Sequence, residues 1–218
     1  MKKRSLIAFG LFILLTTITF THNINIQKFN IQEIDIQNSI LLKKDEIRKS
    51  LNSIYNKNLL FLKNSEIEAK LKENSFIESF NIKKIYPNTL KIKIFEKKPI
   101  AILIHKKKKF YLSERIELIE YKSLPNYQNL PYVFGDINKF KIFYKNLNEI
   151  NFPFNQITKY TLYEIDRWDL ETKNDNIIKL PPNNYKKSLK NYLNLINKNE
   201  FRKYKIFDYR IKNQLILK

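Results

Sequence analysis

The sequence predicts an α+β protein. It opens with an N-terminal transmembrane helix, continues in a small domain of order β-α-α-β-β, and ends in a β-rich domain with an antiparallel sheet and flanking helices. Three observations carry this. A basic triplet, Lys2-Lys3-Arg4, precedes a charge-free run from Ser5 to Gln27, taking His22 as neutral. Apolar periodicity then passes from helical to strand-like between residues 45 and 94. Beyond Pro99, helical stripes at 138–151 and 185–198 alternate with short strand-like runs.

The 218 residues suffice for one large or two small domains, and 43% apolar content suffices for a core. A net charge of +20 points to an anionic partner or to compositional bias. The lysines are scattered rather than striped, and Lys, Asn and Ile abound while Gly occurs twice, the usage of an AT-rich genome. Bias is therefore the favoured reading, and the densest run, Lys106–Lys109, reads as a hairpin tip. Cysteine is absent, which excludes disulfides, thiol nucleophiles and cysteine metal sites.

As a helix, residues 5–27 would span roughly 34 Å, about the thickness of a bilayer core. The apolar centre, Leu6–Phe20, is shorter, so a cleaved signal peptide is the rival. The run closes on Thr19-Phe20-Thr21-His22-Asn23 without small residues of the A-x-A kind, which favours an uncleaved anchor. The positive charges before it put residues 1–4 in the cytoplasm as a short tail, with the bulk outside. A domain there has little reason to meet nucleic acid.

After the anchor, Ile31, Ile34 and Ile36 mark a short strand, broken at Gln37-Asn38-Ser39. Ile47, Leu51, Ile54 and Tyr55 fall on one helical face, with Asp45 and Glu46 in the first turn where the dipole favours them. LLFLK reads as a loop. Ser65-Glu66-Ile67-Glu68 has the capping-box spacing and opens a second helix bearing Ile67 and Leu71. Phe80 and Ile82, then Leu90, Ile92 and Ile94, alternate with lysines around Tyr86-Pro87-Asn88-Thr89, a turn with Pro87 and Asn88 in its central positions. The hairpin has one apolar and one lysine-rich face, and the two helices cover the former. The predicted core is Ile36, Ile47, Leu51, Ile67, Leu71, Ile82, Leu90, Ile92 and Ile94.

That order resembles a POTRA domain, the β-α-α-β-β module of bacterial envelope proteins. More specifically, FIESFNIKKIYPNTLKIKIFEKKPIAI resembles the POTRA hairpin of the FtsQ/DivIB cell-division family, through Phe76, Ile77, Tyr86, Pro87, Leu90, Glu96, Pro99, Ile100 and Ala101. In that family the Pro marks the exit into a second domain, and a proline ends a strand or sits on its edge. LPYVFG at 130–135, DRWDLET at 166–172, IIKLP at 177–181 and KIFDYRIKNQLILK at the end are similar to the later elements of the same family. The resemblance gives boundaries of 28–98 for POTRA and 99–218 for the β-domain. Asn38, Pro182-Asn183-Asn184 and Asn213-Gln214 stand where the family commonly has Gly.

No enzyme and no cofactor are expected. His22 and His105 lie far apart without ligand-spaced carboxylates, and two glycines cannot build a phosphate-cradling loop. Glu164 and Asp166 would share a strand face as an acid/base pair would, but there they more often pair with neighbouring lysines. Trp168 in a strand reads as core.

The resemblance implies a non-enzymatic divisome scaffold. It would be a single-pass inner-membrane protein whose periplasmic part recruits FtsB- and FtsL-like bitopic partners, with weak self-association left open. An envelope polypeptide-transport or chaperone protein bearing POTRA is the alternative, and a basic protein binding anionic polymer or lipid a weaker one. Partner addition to the last strand is expected to use Arg210, Ile211, Asn213, Leu215 and Leu217, along an apolar segment with no tail to cover it. Leu215 and Leu217 could equally complete the domain core.

Overall fold

The computed structural model describes residues 3–17 and 26–218. The apolar run forms α1, Lys3–Thr17. Its 15 residues reach about 22 Å, short of a hydrocarbon core of about 30 Å. Among the described residues no helix is long and apolar enough to cross a membrane. Residues 18–25 of the predicted 5–27 span lie outside the described residues, and Ile26–Phe29 form a 3-10 turn.

The small domain follows as β1 (Glu33–Gln37), α2 (Lys44–Ser50), α3 (Asn64–Lys72), β2 (Ile77–Ile85) and β3 (Thr89–Glu96). Its sheet has order β1-β3-β2, with β1 parallel and β2 antiparallel to the central strand. The alternation in β3 buries Leu90, Ile92 and Ile94 beneath Ile47 and Leu51 on one side and Ile67 and Leu71 on the other. Ile82 is only half-buried, a correction to the predicted core. β2 is an edge strand, so its apolar face has cover from one flank only. Asn38 takes φ 62° and its amide donates to the Ile94 carbonyl at 2.9 Å, so the bend that family members often build with Gly survives with Asn. The next turn wraps a carboxylate. Glu96 accepts from the backbone N–H groups of Ile40, Leu41 and Leu42 at 3.0, 2.7 and 2.9 Å.

Three local expectations change. The capping box does not form. α3 starts at Asn64, Ser65 falls inside its first turn, and Glu68 pairs with Lys72 at 3.6 Å. The helix expected through Tyr55 breaks after Ser50 into a 3-10 turn, Asn52–Ile54, which still buries Ile54. The loop LLFLK hides core residues, with Leu59 and Leu62 buried. The Tyr86–Pro87 bond in the hairpin turn is cis.

The second domain runs β4 (Pro99–His105), β5 (Lys108–Ser113), β6 (Leu118–Glu120), β7 (Tyr132–Phe134), α4 (Ile137–Glu149), β8 (Ile157–Tyr163), β9 (Arg167–Thr172), β10 (Ile177–Lys179), α5 (Tyr185–Ile196), β11 (Ile206–Asp208) and β12 (Ile216–Leu217). Pro99 opens β4 rather than ending a strand, paired on one side only, to Ser113 of β5. Lys106 and Lys107 take φ 46° and 65° at the tip of the β4–β5 hairpin. Among the described residues these strands form one sheet of order β12-β11-β10-β9-β8-β7-β4-β5-β6.

The sheet is mixed, not antiparallel as predicted. β4–β7, β7–β8 and β10–β11 pair in parallel. α4 carries the chain from β7 to β8, and α5 from β10 to β11, and a crossover helix returns the chain in the same direction. The two helices then cover one face. Phe143 of α4 stacks on Trp168 at 4.8 Å, and Tyr192 of α5 meets Phe207 edge-on at 4.9 Å. α4 is capped by Asp136, whose side chain accepts from the Asn138 and Lys139 N–H groups. Glu164 and Asp166 are not on a strand face. They form the β8–β9 turn, where Asp166 has φ 57° and pairs with Lys139.

The two domains share apolar packing. Tyr111 of β5 is buried in the first domain's core, edge-on to Phe76 at 6.4 Å, and its hydroxyl donates to the Lys122 carbonyl at 2.7 Å. Ile102 and Ile119 join the same cluster. Lys122–Glu46 at 2.9 Å and Arg115–Glu78 at 3.1 Å bridge the rim.

Candidate partner-binding edge

The last two strands define one edge of the large sheet. Ile206 and Lys218 exchange backbone hydrogen bonds, Lys218 N–H donating at 3.1 Å and Ile206 N–H at 2.9 Å. Bonded and non-bonded pairs alternate along an antiparallel ladder. The next pair, Phe207 and Leu217, is therefore non-bonded, and Asp208 and Ile216 bond again. The backbone N–H and C=O of Leu217 point away from β11, toward the open side of the sheet. The Ile216 N–H points inward.

The segment before β12 is a loop, so the exposed edge expected over Arg210–Leu217 is strand only at Ile216–Leu217. Ile211–Gln214 close a turn in which Gln214 N–H donates to the Ile211 carbonyl at 3.1 Å and Asn213 takes φ 60°. Only Leu217 of the five predicted site residues lies in the strand. Leu215 and Leu217 are half-buried and pack on the domain core, while Arg210, Ile211 and Asn213 are exposed. The core-completing role foreseen for the two leucines thus holds for their side chains, and what the edge offers is backbone.

Arg210 is held in place. Its guanidinium forks onto Asp208, with Nε donating at 2.8 and 3.0 Å and Nη2 at 2.6 Å, and its backbone N–H donates to Asp208 Oδ1 at 3.1 Å. This fork holds the Asp208 carboxyl below its usual value. Two strands away, Asp169 is buried beside Arg167 at 3.2 Å, and burial pushes its carboxyl up despite that partner. Between them Tyr209 is buried, donating its hydroxyl to Asn191 of α5 at 2.9 Å, and burial pushes that phenol up.

Beside the edge lies a concavity of about 1170 Å³, walled by the start of α5 and by residues 209–215. Pro182, Lys187, Asn191, Tyr209, Ile211 and Leu215 are among its lining. Sequence reasoning placed Ile211 and Leu215 here but missed Pro182, Lys187 and Asn191. The αL turn at Asn184, φ 58°, brings them alongside, and its only sequence signal is the Pro-Pro-Asn-Asn run.

A family model for the POTRA domain, FtsQ-type, matches residues 29–97. One for the cell division protein FtsQ/DivIB, C-terminal, matches residues 101–210, half of the chain. The chain belongs to the FtsQ/DivIB cell division protein family. The cell division protein FtsQ of Rickettsia conorii is 29% identical over 193 residues, covering 85% of this chain and 71% of the relative. FtsQ of Rickettsia bellii matches with the same identity and coverage. The trans isomer of the major extracytoplasmic domain of the cell division protein DivIB from Geobacillus stearothermophilus aligns over 47% of this chain and 92% of its own, at 17% identity and a TM-score of 0.34, a likeness on which nothing further rests. Within FtsQ/DivIB terms, the candidate edge lies at and just beyond the end of the C-terminal match.

Proposed function

We propose that this FtsQ/DivIB member is a non-enzymatic divisome scaffold: a bitopic inner-membrane protein anchored through the part of the 5–27 run that precedes the Ile26–Phe29 turn, with POTRA over 28–98 and the β-domain over 99–218 in the periplasm. Its β12 edge recruits FtsB- and FtsL-like bitopic partners by adding a partner strand to the sheet. One observation supports this most. Leu217 presents its N–H and C=O outward on an edge strand, two residues past a concavity walled by residues 209–215. A strand added there gains main-chain hydrogen bonds, and its alternate side chains enter the concavity, which gives affinity and selectivity separately. An open strand edge left without a partner is an aggregation hazard. Arg210, Ile211 and Asn213 line the approach, and the leucine side chains hold the strand down.

The ladder geometry separates two proline variants. Leu217→Pro removes an outward donor, whereas Ile216→Pro removes an inward one and loosens β12 from β11. In depletion strains, loss of the protein should give filaments of undivided cells. Leu217→Pro should fail to restore division or to co-purify the FtsB-like partner while still melting cooperatively. Normal co-purification by Leu217→Pro would show that the partner docks elsewhere.

A further inference from the structure

We infer that the end of the first domain where the chain arrives from α1 rests on the lipid surface. This builds on the anchor proposed above. Ile26, Leu60, Phe61, Ile85 and Tyr86 are large apolar residues exposed together there, Phe61 to 75%. Backbone and side-chain contacts tie the segments that carry them. Asn58 donates to the Ile26 carbonyl at 3.0 Å, Leu59 N–H to the Phe29 carbonyl at 2.8 Å, and Phe29 meets Tyr86 edge-on at 6.3 Å. Gln32 N–H donates to the Asn88 carbonyl at 3.0 Å, bringing the hairpin tip to the same end.

Two features of the molecule favour lipid as the occupant. The first is reach. Thr17 closes the apolar helix and Ile26 lies in the patch, so at most about 30 Å of chain separates them. A bilayer holding α1 is therefore within a short tether of this patch. The second domain is attached at the opposite end, past Glu96, one β3 length or roughly 24 Å away. The second feature is charge. Lys28 and Lys63 are exposed nearby and half-buried Lys84 reaches the Leu62 carbonyl at 2.5 Å, while Lys57 is neutralised by Glu66 at 2.6 Å. Exposed apolar side chains bordered by exposed lysines suit the boundary between acyl chains and anionic headgroups.

The absence of cysteine allows single-site labelling of the full chain. Leu11→Cys, Leu60→Cys and Ile165→Cys variants would carry an environment-sensitive fluorophore and be reconstituted in phosphatidylethanolamine–phosphatidylglycerol vesicles containing nitroxide-labelled lipid. Ile165 is an exposed apolar residue on the second domain, more exposed than Leu60. The inference expects quenching at positions 11 and 60 but not at 165, and loss of quenching at 60 when Phe61→Asp is added. Quenching at 11 with none at 60 overturns the lipid contact and leaves the anchor intact. No quenching at 11 overturns both. A label at 60 that is shielded from aqueous iodide yet untouched by lipid nitroxide means that a second copy covers the patch, which also overturns the inference.

Discussion

Gly135 closes the LPYVFG segment, and Gly135→Ala tests why a chain with two glycines keeps one there. Its φ is 155°, a region that L side chains rarely adopt. A Cβ at this position would sit 2.6 Å from Leu162 Cβ, 3.2 Å from Leu162 Cδ2 and 3.3 Å from the Trp168 ring. The Cδ2 contact can yield by rotation. The Cβ contact is set by the backbones of β7's exit and β8, and the ring is pinned by Phe143. Backbone strain costs about 1–3 kcal/mol and overpacking about as much again, so the substitution should cost about 2–6 kcal/mol. At about 2–4 °C per kcal/mol for a folded region of this size, that lowers Tm by roughly 4–24 °C. Thermal melts followed by Trp168 fluorescence read it directly. Combining it with Leu162→Ala should not rescue stability, because alanine keeps the Cβ, whereas Leu162→Gly should recover part of the added cost. A Gly135→Ala protein melting with wild type would refute the close-approach argument.

Three further outcomes follow from the same packing. Ile92→Asp puts a carboxylate in the fully buried centre of β3, and should cost several kcal/mol and unfold the first domain, visible as loss of the early part of a urea transition. Glu96→Gln replaces one acceptor oxygen of the carboxylate that binds three N–H groups by an amide donor, and should cost about 1–3 kcal/mol by the same assay. Asp208 is held low by the Arg210 fork, so its stabilisation is complete above the ordinary carboxylate value near 3.8 and is lost as pH falls below it. Wild type and Arg210→Met should therefore differ in urea midpoint at pH 6 and converge toward pH 2, while a constant gap would mean that the fork stabilises through packing alone.

The periodic elements were legible because burial on one face imposes a period. The stripes Ile47/Leu51, Ile67/Leu71, Phe140/Phe143/Leu147 and Leu90/Ile92/Ile94 all face cores as read. What escaped was set by distant contacts. Leu59 and Leu62 sit in irregular backbone, so no period marks them, and Tyr111 reveals its place between domains only when Phe76 meets it. The capping-box spacing was real, but α3 starts one residue earlier, at Asn64, so Ser65 lies inside the helix and Glu68 pairs with Lys72 instead. Parallel pairing in the large sheet depends on which way α4 and α5 return the chain, which local pattern leaves open. At the candidate edge the expected residues divide between an exposed loop and a half-buried strand end. The exposed edge expected over Arg210–Leu217 is shorter than that, because the Asp208 fork and the left-handed Asn213 bend the chain and leave only Ile216–Leu217 in the ladder.

Amide hydrogen exchange across residues 205–218, with and without the periplasmic segment of an FtsB-like partner, tests the scaffold reading most directly. The Ile216 amide, bonded to β11, should exchange slowly in both states. The Leu217 amide should exchange quickly alone and become protected in the complex, because the added strand supplies its acceptor. A bound complex in which Leu217 exchanges as fast as in the free protein would contradict recruitment by strand addition at this edge.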